Sequence, residues 1–61
     1  MRLIKLKEVM NLTGLGRTSV YELIKTGGFP KQVQLGGRAV AWGESEVEDW
    51  IMAKVAARDE E

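Results

Sequence analysis

The stretch FPKQVQLGGRAVAW, residues 29–42, decides how the chain is read. Val33 and Leu35 alternate with Gln32 and Gln34, Gly36-Gly37 interrupts, and Val40 and Trp42 then alternate with Ala39 and Ala41. Two alternating runs around a glycine pair predict a β-hairpin, because two-residue hairpin loops need positive φ, which glycine reaches freely. With Gly36-Gly37 as the loop, Leu35 faces Arg38, Gln34 faces Ala39 and Val33 faces Val40. One face of the hairpin is then apolar and is expected to pack on the rest of the chain. A single cation, Arg38, stands near its tip.

Upstream of the hairpin, Leu6, Val9 and Met10 sit at helical spacing, predicting a short helix over residues 6–12 that Thr13-Gly14 ends. After Leu15-Gly16, RTSVYELIKTGG predicts a second helix over 17–26, stopped by Gly27-Gly28. Val20, Leu23 and Ile24 form its buried stripe. On a helical wheel Thr18, Glu22 and Lys25 point the opposite way, with Arg17 and Tyr21 on one flank and Ser19 on the other. Residues 2–5 suit a brief strand or extended arm. Downstream, Ser45 and Glu48 fit a capping box, with a start one or two residues earlier also allowed. Val47, Trp50, Ile51, Lys54 and Val55 then form the stripe of a third helix. A frayed tail is expected from about residue 57. Trp42 and Trp50, each on an apolar stripe, are expected to be largely buried where hairpin and last helix meet, rather than to stack on bases.

The bulk numbers narrow the chemistry. Sixty-one residues make a single domain, residues 1–61, with a small core. The chain has no cysteine and no histidine, which excludes disulfides, thiolate metal sites and imidazole catalysis. No Walker sequence, paired catalytic carboxylates or nucleophile–base pair is visible, so neither an enzyme nor a cofactor or small-molecule ligand is expected. No apolar run reaches the length of a membrane span, and a soluble, cytoplasmic protein is expected.

Net charge is zero, yet its distribution is uneven. Residues 1–43 hold seven cations against two carboxylates, a net +5, and residues 44–61 hold the complementary −5. Such a split points to one basic and one acidic face. The acidic cluster at Glu44, Glu46, Glu48 and Asp49 also complements the N-terminal dipole of the third helix.

Two short helices joined by a glycine-containing turn form a helix-turn-helix unit, whose second helix can enter the DNA major groove. A hairpin directly after it is a wing. The predicted fold is therefore mainly α with a small β-hairpin (α+β), a winged helix-turn-helix in the order helix, turn, helix, hairpin wing, helix. On this reading Arg17, Thr18, Ser19, Tyr21, Glu22 and Lys25 of the second helix and Arg38 of the wing form the candidate DNA-binding set. Arg38 suits phosphate because a guanidinium offers paired donors. The Tyr21 ring suits packing on the wing, with its hydroxyl toward phosphate. Glu22 repels phosphate unless it accepts from a cytosine amino group, and an internal pair with Lys25 is the simpler reading.

The run LKEVMNLTGLGRTSVYELIKTGGFPKQVQLGGRAVAWGESEVEDWI resembles the AlpA family of prophage regulatory proteins and, more broadly, excisionase and MerR-like winged helix-turn-helix domains. LKEV, TGL-R-TSVY, GGFPK, LGGRAVAW and ESEV-x-x-W occur in the family's order and spacing across residues 3–52. The resemblance implies sequence-specific binding of double-stranded DNA in the transcriptional control of mobile elements. It equally allows an excisionase-like architectural factor that bends DNA beside a recombinase. A protein-interaction adaptor on the same scaffold is the reading from another class. Gly16 departs from the family, where serine is frequent as a helix N-cap, at a cost of a few tenths of a kcal/mol. Lacking coiled-coil heptads, the chain is expected to be a monomer that binds beside further copies of itself on adjacent DNA sites.

Overall fold

In the computed structural model, described for residues 1–60, six elements follow one another: β1 (Leu3–Ile4), α1 (Leu6–Thr13), α2 (Arg17–Thr26), β2 (Val33–Gly36), β3 (Ala39–Gly43) and α3 (Glu44–Asp59). The fold is mainly helical α+β with a winged-helix arrangement. The extended N-terminal residues make a real strand. β1 pairs antiparallel with β3, Leu3 opposite Gly43 and Ile4 opposite Trp42, giving a three-stranded sheet in the order β1-β3-β2. The Glu44 amide donates to the Arg2 carbonyl at 2.8 Å, and the Arg2 guanidinium meets the Glu44 carboxylate at 2.9 Å, so the arm is held at both backbone and side chain.

Both helices of the helix-turn-helix end where their glycines stand. Gly14 closes α1 at φ 74°, a left-handed conformation that costs a residue with Cβ about 1–2 kcal/mol. Its amide donates to the Met10 carbonyl at 2.8 Å, satisfying one of the carbonyls a helix end leaves open. Thr13 adds a second lock: its hydroxyl donates to the Val9 carbonyl and accepts from the Leu15 amide. Leu15 then tucks against the core, so the three-residue turn is anchored by its middle member.

One small core draws on every element except β2. Ile4, Val9, Val20, Phe29, Trp42 and Val47 are buried together, and Leu6, Leu23, Ile24, Val40, Trp50 and Ile51 pack around them. Trp42 is its largest member and is fully buried. Its indole N–H donates to the Pro30 carbonyl at 3.1 Å, and Tyr21 meets it edge-on with centroids 6.3 Å apart. Such a T-shaped pair sets the positive ring edge against a negative ring face. Among the described residues no buried side-chain polar atom lacks a partner.

The hairpin register differs from the one the alternation predicts. Val33 lies opposite Ala41, Gln34 opposite Val40 and Gly36 opposite Ala39, with Leu35 as an extra residue between the last two. The loop is therefore Gly37-Arg38, one residue beyond the expected position, and Arg38 sits in the turn itself. Because strand side chains alternate in direction, a one-residue slip sends each to the other face. Val33 thus shares a face with Ala41 rather than with Val40 and Trp42, and Val33 and Leu35 are 40% and 48% exposed. The expected apolar packing face of the wing survives only on β3.

The third helix starts two residues before the capping-box position, as the earlier start allowed, and departs from expectation at its far end. It starts directly from the strand, with Gly43 as N-cap and no side-chain cap bond, so the Ser45–Glu48 box is not formed. Ser45 already lies in the first helical turn, where its hydroxyl cannot serve as a cap. Gly43 is buried, and a Cβ there would meet the side-chain ends of Met1, at Sδ 2.6 Å, and of Glu46, at Oε1 2.7 Å, which pack directly over it. At the other end the helix runs to Asp59, through most of the tail expected to fray; Glu61, in that same tail, lies outside the described residues. Trp50 is only partly buried, unlike Trp42.

Candidate nucleic-acid interface

The second helix presents its polar residues to solvent because its apolar stripe is consumed by the core. Val20 is fully buried, and Leu23 and Ile24 pack beside it. Arg17, Thr18, Ser19, Glu22 and Lys25 are all exposed, as a 3.6-residue period requires of positions opposite that stripe. Among the described residues, none of these side chains is engaged in an ion pair, so Glu22 and Lys25 do not satisfy each other. Five polar groups of one helix are thus available together.

Tyr21 and Arg17 form the flank nearest the wing. The Tyr21 ring packs against Trp42 of β3, and the Arg17 guanidinium carbon lies 6.0 Å from the Tyr21 ring centre. A cation over an aromatic face is attracted by the ring quadrupole, worth about 0.5–1 kcal/mol at an exposed site. The contact biases Arg17 toward one orientation at the start of α2. At that same end Gly16 is the N-cap and offers no side-chain acceptor. The first amides of α2 therefore keep their donor capacity, which a helix N-terminus directs toward anions.

The wing is set by backbone conformation. Gly36 and Gly37 take φ 141° and 52°, and the Gln34 side-chain amide donates to the Gly37 carbonyl at 2.6 Å, clamping the turn. Residues 33–39 are exposed without interruption. Arg38 has no carboxylate partner among the described residues. Between Glu22 and Glu44 the chain has no acidic residue, while Lys25, Lys31 and Arg38 fall within that interval. The polar helix face and the wing are thus joined by a segment of one sign.

Read from residue types alone, the wing yields Arg38 but not Leu35, whose exposure follows from the bulge. The alternation assigned Leu35 to a packing face, so no sequence signal marked it as a surface residue. Geometry accounts for both tryptophans: Trp42 is core, and Trp50 packs edge-on against Phe29 with centroids 4.9 Å apart. No group of three or more metal-ligating side chains occurs among the described residues. No helix among them is long and apolar enough to cross a membrane.

The family model described as prophage CP4-57 regulatory protein (AlpA) matches residues 2–55, from the β1 arm into α3. The chain belongs to the AlpA family. Similar proteins include the uncharacterized protein ORF88 of Enterobacteria phage P4, 51% identical over 57 residues, 93% of this chain. The chain spans 65% of that phage protein's length. The DNA-binding transcriptional activator AlpA of Escherichia coli K12 is 30% identical over 56 residues, covering 82% of this chain and 80% of the relative. Within this AlpA-family chain, the matched span contains the whole helix-turn-helix and wing.

Proposed function

We propose that this AlpA-family chain is a sequence-specific double-stranded DNA-binding protein, a transcriptional regulator of phage or prophage type. The carrying observation is the exposed, unpaired polar face of α2 beside a basic, solvent-exposed wing. The name of the E. coli relative, a DNA-binding transcriptional activator, supports the same reading. In this mechanism α2 enters the major groove. Thr18 and Lys25 contact base edges, Ser19 and the first α2 amides meet phosphate, and Arg17 works at the boundary between the two. The Tyr21 ring stays against Trp42 while its hydroxyl reaches the backbone. Glu22 accepts from a cytosine amino group, the one base partner that rewards a carboxylate there. Arg38 holds phosphate from the wing.

In α3, Glu44 and Glu46 lie in the first turn, where carboxylates complement the helix N-terminus, and Glu44 pairs with Arg2. The test is a salt titration of duplex binding. Four or five neutralised phosphates predict a log–log slope of about −4 per monomer, from about −0.9 per contact. A slope near zero refutes DNA binding and favours a protein-binding role for the same scaffold.

A further inference from the structure

An open groove of about 700 Å³ runs between α3 and the chain that joins α2 to β2, on a part of the surface that the DNA-binding reading leaves unused. Trp50, Ala53 and Ala57 of α3 and Pro30 of the connection give it apolar walls. The indole N–H of Trp50 donates to the Gly28 carbonyl and its ring packs on Phe29, so this wall is fixed before anything binds. Glu46 and Asp49 also line the groove, exposed and without a cation partner among the described residues. The one cation there, Lys54, lies 5.4 Å from the centre of the Trp50 ring and pairs with neither carboxylate. α2 ends at Gly27 in the same groove and brings the negative end of its dipole. The groove thus suits a ligand that carries an apolar group and a cation close together.

The chain itself carries such a pair. Ile4 of β1 is buried, so Leu3 and Lys5, its neighbours on extended backbone, point outward together. Leu3 is 44% exposed. Lys5 and Lys7 are exposed and have no carboxylate partner among the described residues, whereas Arg2 is already held by Glu44. Glu8 is the one carboxylate lining the cleft that these lysines share. The arm cannot fill its own groove, because β1 is fixed in register on β3 and the Arg2–Glu44 pair holds its start. β1 is one edge of the sheet, and the groove opens beside the chain that enters β2, the other edge.

We infer that the α3 groove receives the β1 arm of a second copy of this chain, with Leu3 against Trp50 and the two alanines, and Lys5 and Lys7 against Glu46 and Asp49. Charge selects this occupant. The chain is neutral as a whole but divides into +5 over residues 1–43 and −5 over residues 44–61, so each copy complements the next. Because groove and arm lie at different edges of the sheet, the contact is heterologous and joins copies head to tail in a row, not as a closed two-fold dimer. The outward face of α2 and the wing tip take no part in it. The contact engages only a few side chains, where a standard interface buries about 800 Å² per partner, so association is weak in free solution.

The experiment uses the full chain without DNA, so its outcome is independent of the DNA-binding reading. In sedimentation velocity at low salt, the wild-type coefficient should climb as concentration rises into the millimolar range, and added salt should reverse the climb by screening the charges. Lys5→Glu and Asp49→Lys should each sediment as a monomer throughout, because each leaves a chain whose arm and groove carry the same sign. An equal mixture of the two should regain wild-type association: the acidic arm of one suits the basic groove of the other, and the two unchanged surfaces still match. Both positions are exposed, so thermal melts of the variants should match wild type. Carbodiimide coupling of isotope-labelled with unlabelled wild type needs no variant, and it should join Lys5 or Lys7 to Glu46 or Asp49 across labelled–unlabelled pairs. If either variant melts early, these cross-links alone decide. A flat wild-type coefficient, a plateau at the dimer, a variant that associates like wild type, a mixture of folded variants that stays monomeric, or cross-links confined to one chain overturns the proposal.

Discussion

Replacing Trp42 by alanine tests the architecture that presents the DNA-facing elements. Trp42 is fully buried, bonds the Pro30 carbonyl and packs edge-on with Tyr21 of α2. Truncating a buried tryptophan costs about 3–5 kcal/mol in lost transfer energy and cavity. The abandoned Pro30 carbonyl adds about 1 kcal/mol or more wherever water cannot reach it. A domain of this size has about 3–9 kcal/mol in total, so Trp42→Ala should be largely unfolded without denaturant. Trp42→Phe keeps an aromatic edge for Tyr21 and loses the indole bond and some volume, a cost of about 2–3 kcal/mol. With a urea dependence of about 1 kcal/mol/M, that moves the unfolding midpoint down by about 2–3 M. Urea titration followed by far-ultraviolet circular dichroism measures both. A Trp42→Ala midpoint indistinguishable from wild type would refute the reasoning, since no core built on Trp42 tolerates its removal.

Trp50→Ala, followed in the same titration, should remain folded and lose about 2 kcal/mol, less than Trp42→Ala because the side chain is only partly buried, although it packs on Phe29 and its indole N–H donates to the Gly28 carbonyl; equal losses would mean the two indoles share one core role. Thr18→Ala and Lys25→Ala should each lower the ratio of cognate to random DNA affinity by about 1–3 kcal/mol if a good base contact is lost. Arg38→Ala should weaken both DNAs by similar factors, since backbone contacts position a protein without reading sequence. Specificity lost in Arg38→Ala and kept in the two helix variants, all at one salt concentration, would reverse these roles.

Much of this protein is legible along the chain because its decisive signals are local. Gly14 and Gly27 end their helices through a backbone conformation that needs no tertiary partner, so α2 falls at residues 17–26 as its sequence predicts. The stripe of Val20, Leu23 and Ile24 follows from helical period alone, and with it the outward set of Thr18, Glu22 and Lys25. The spaced motifs from LKEV to ESEV-x-x-W carry the AlpA family membership that the matched span bears out. Tertiary structure decided what depends on two segments meeting. A glycine pair followed by arginine permits a hairpin loop at 36–37 or at 37–38, and alternation cannot choose between them. In the folded chain β3 is held on both edges, by Ile4 opposite Trp42 and by Val33 opposite Ala41. Burial of Trp42 fixes which face of β3 turns inward, so β2 accommodates the register through the bulge at Leu35. The start of α3 has the same origin: the strand runs straight into the helix at a buried glycine packed beside Met1 and Glu46, which leaves Ser45 no cap to make. The glycine-capped ends of α1 and α2 are properties of a few adjacent residues, whereas strand register is a property of the pair and exists only once the pair has formed.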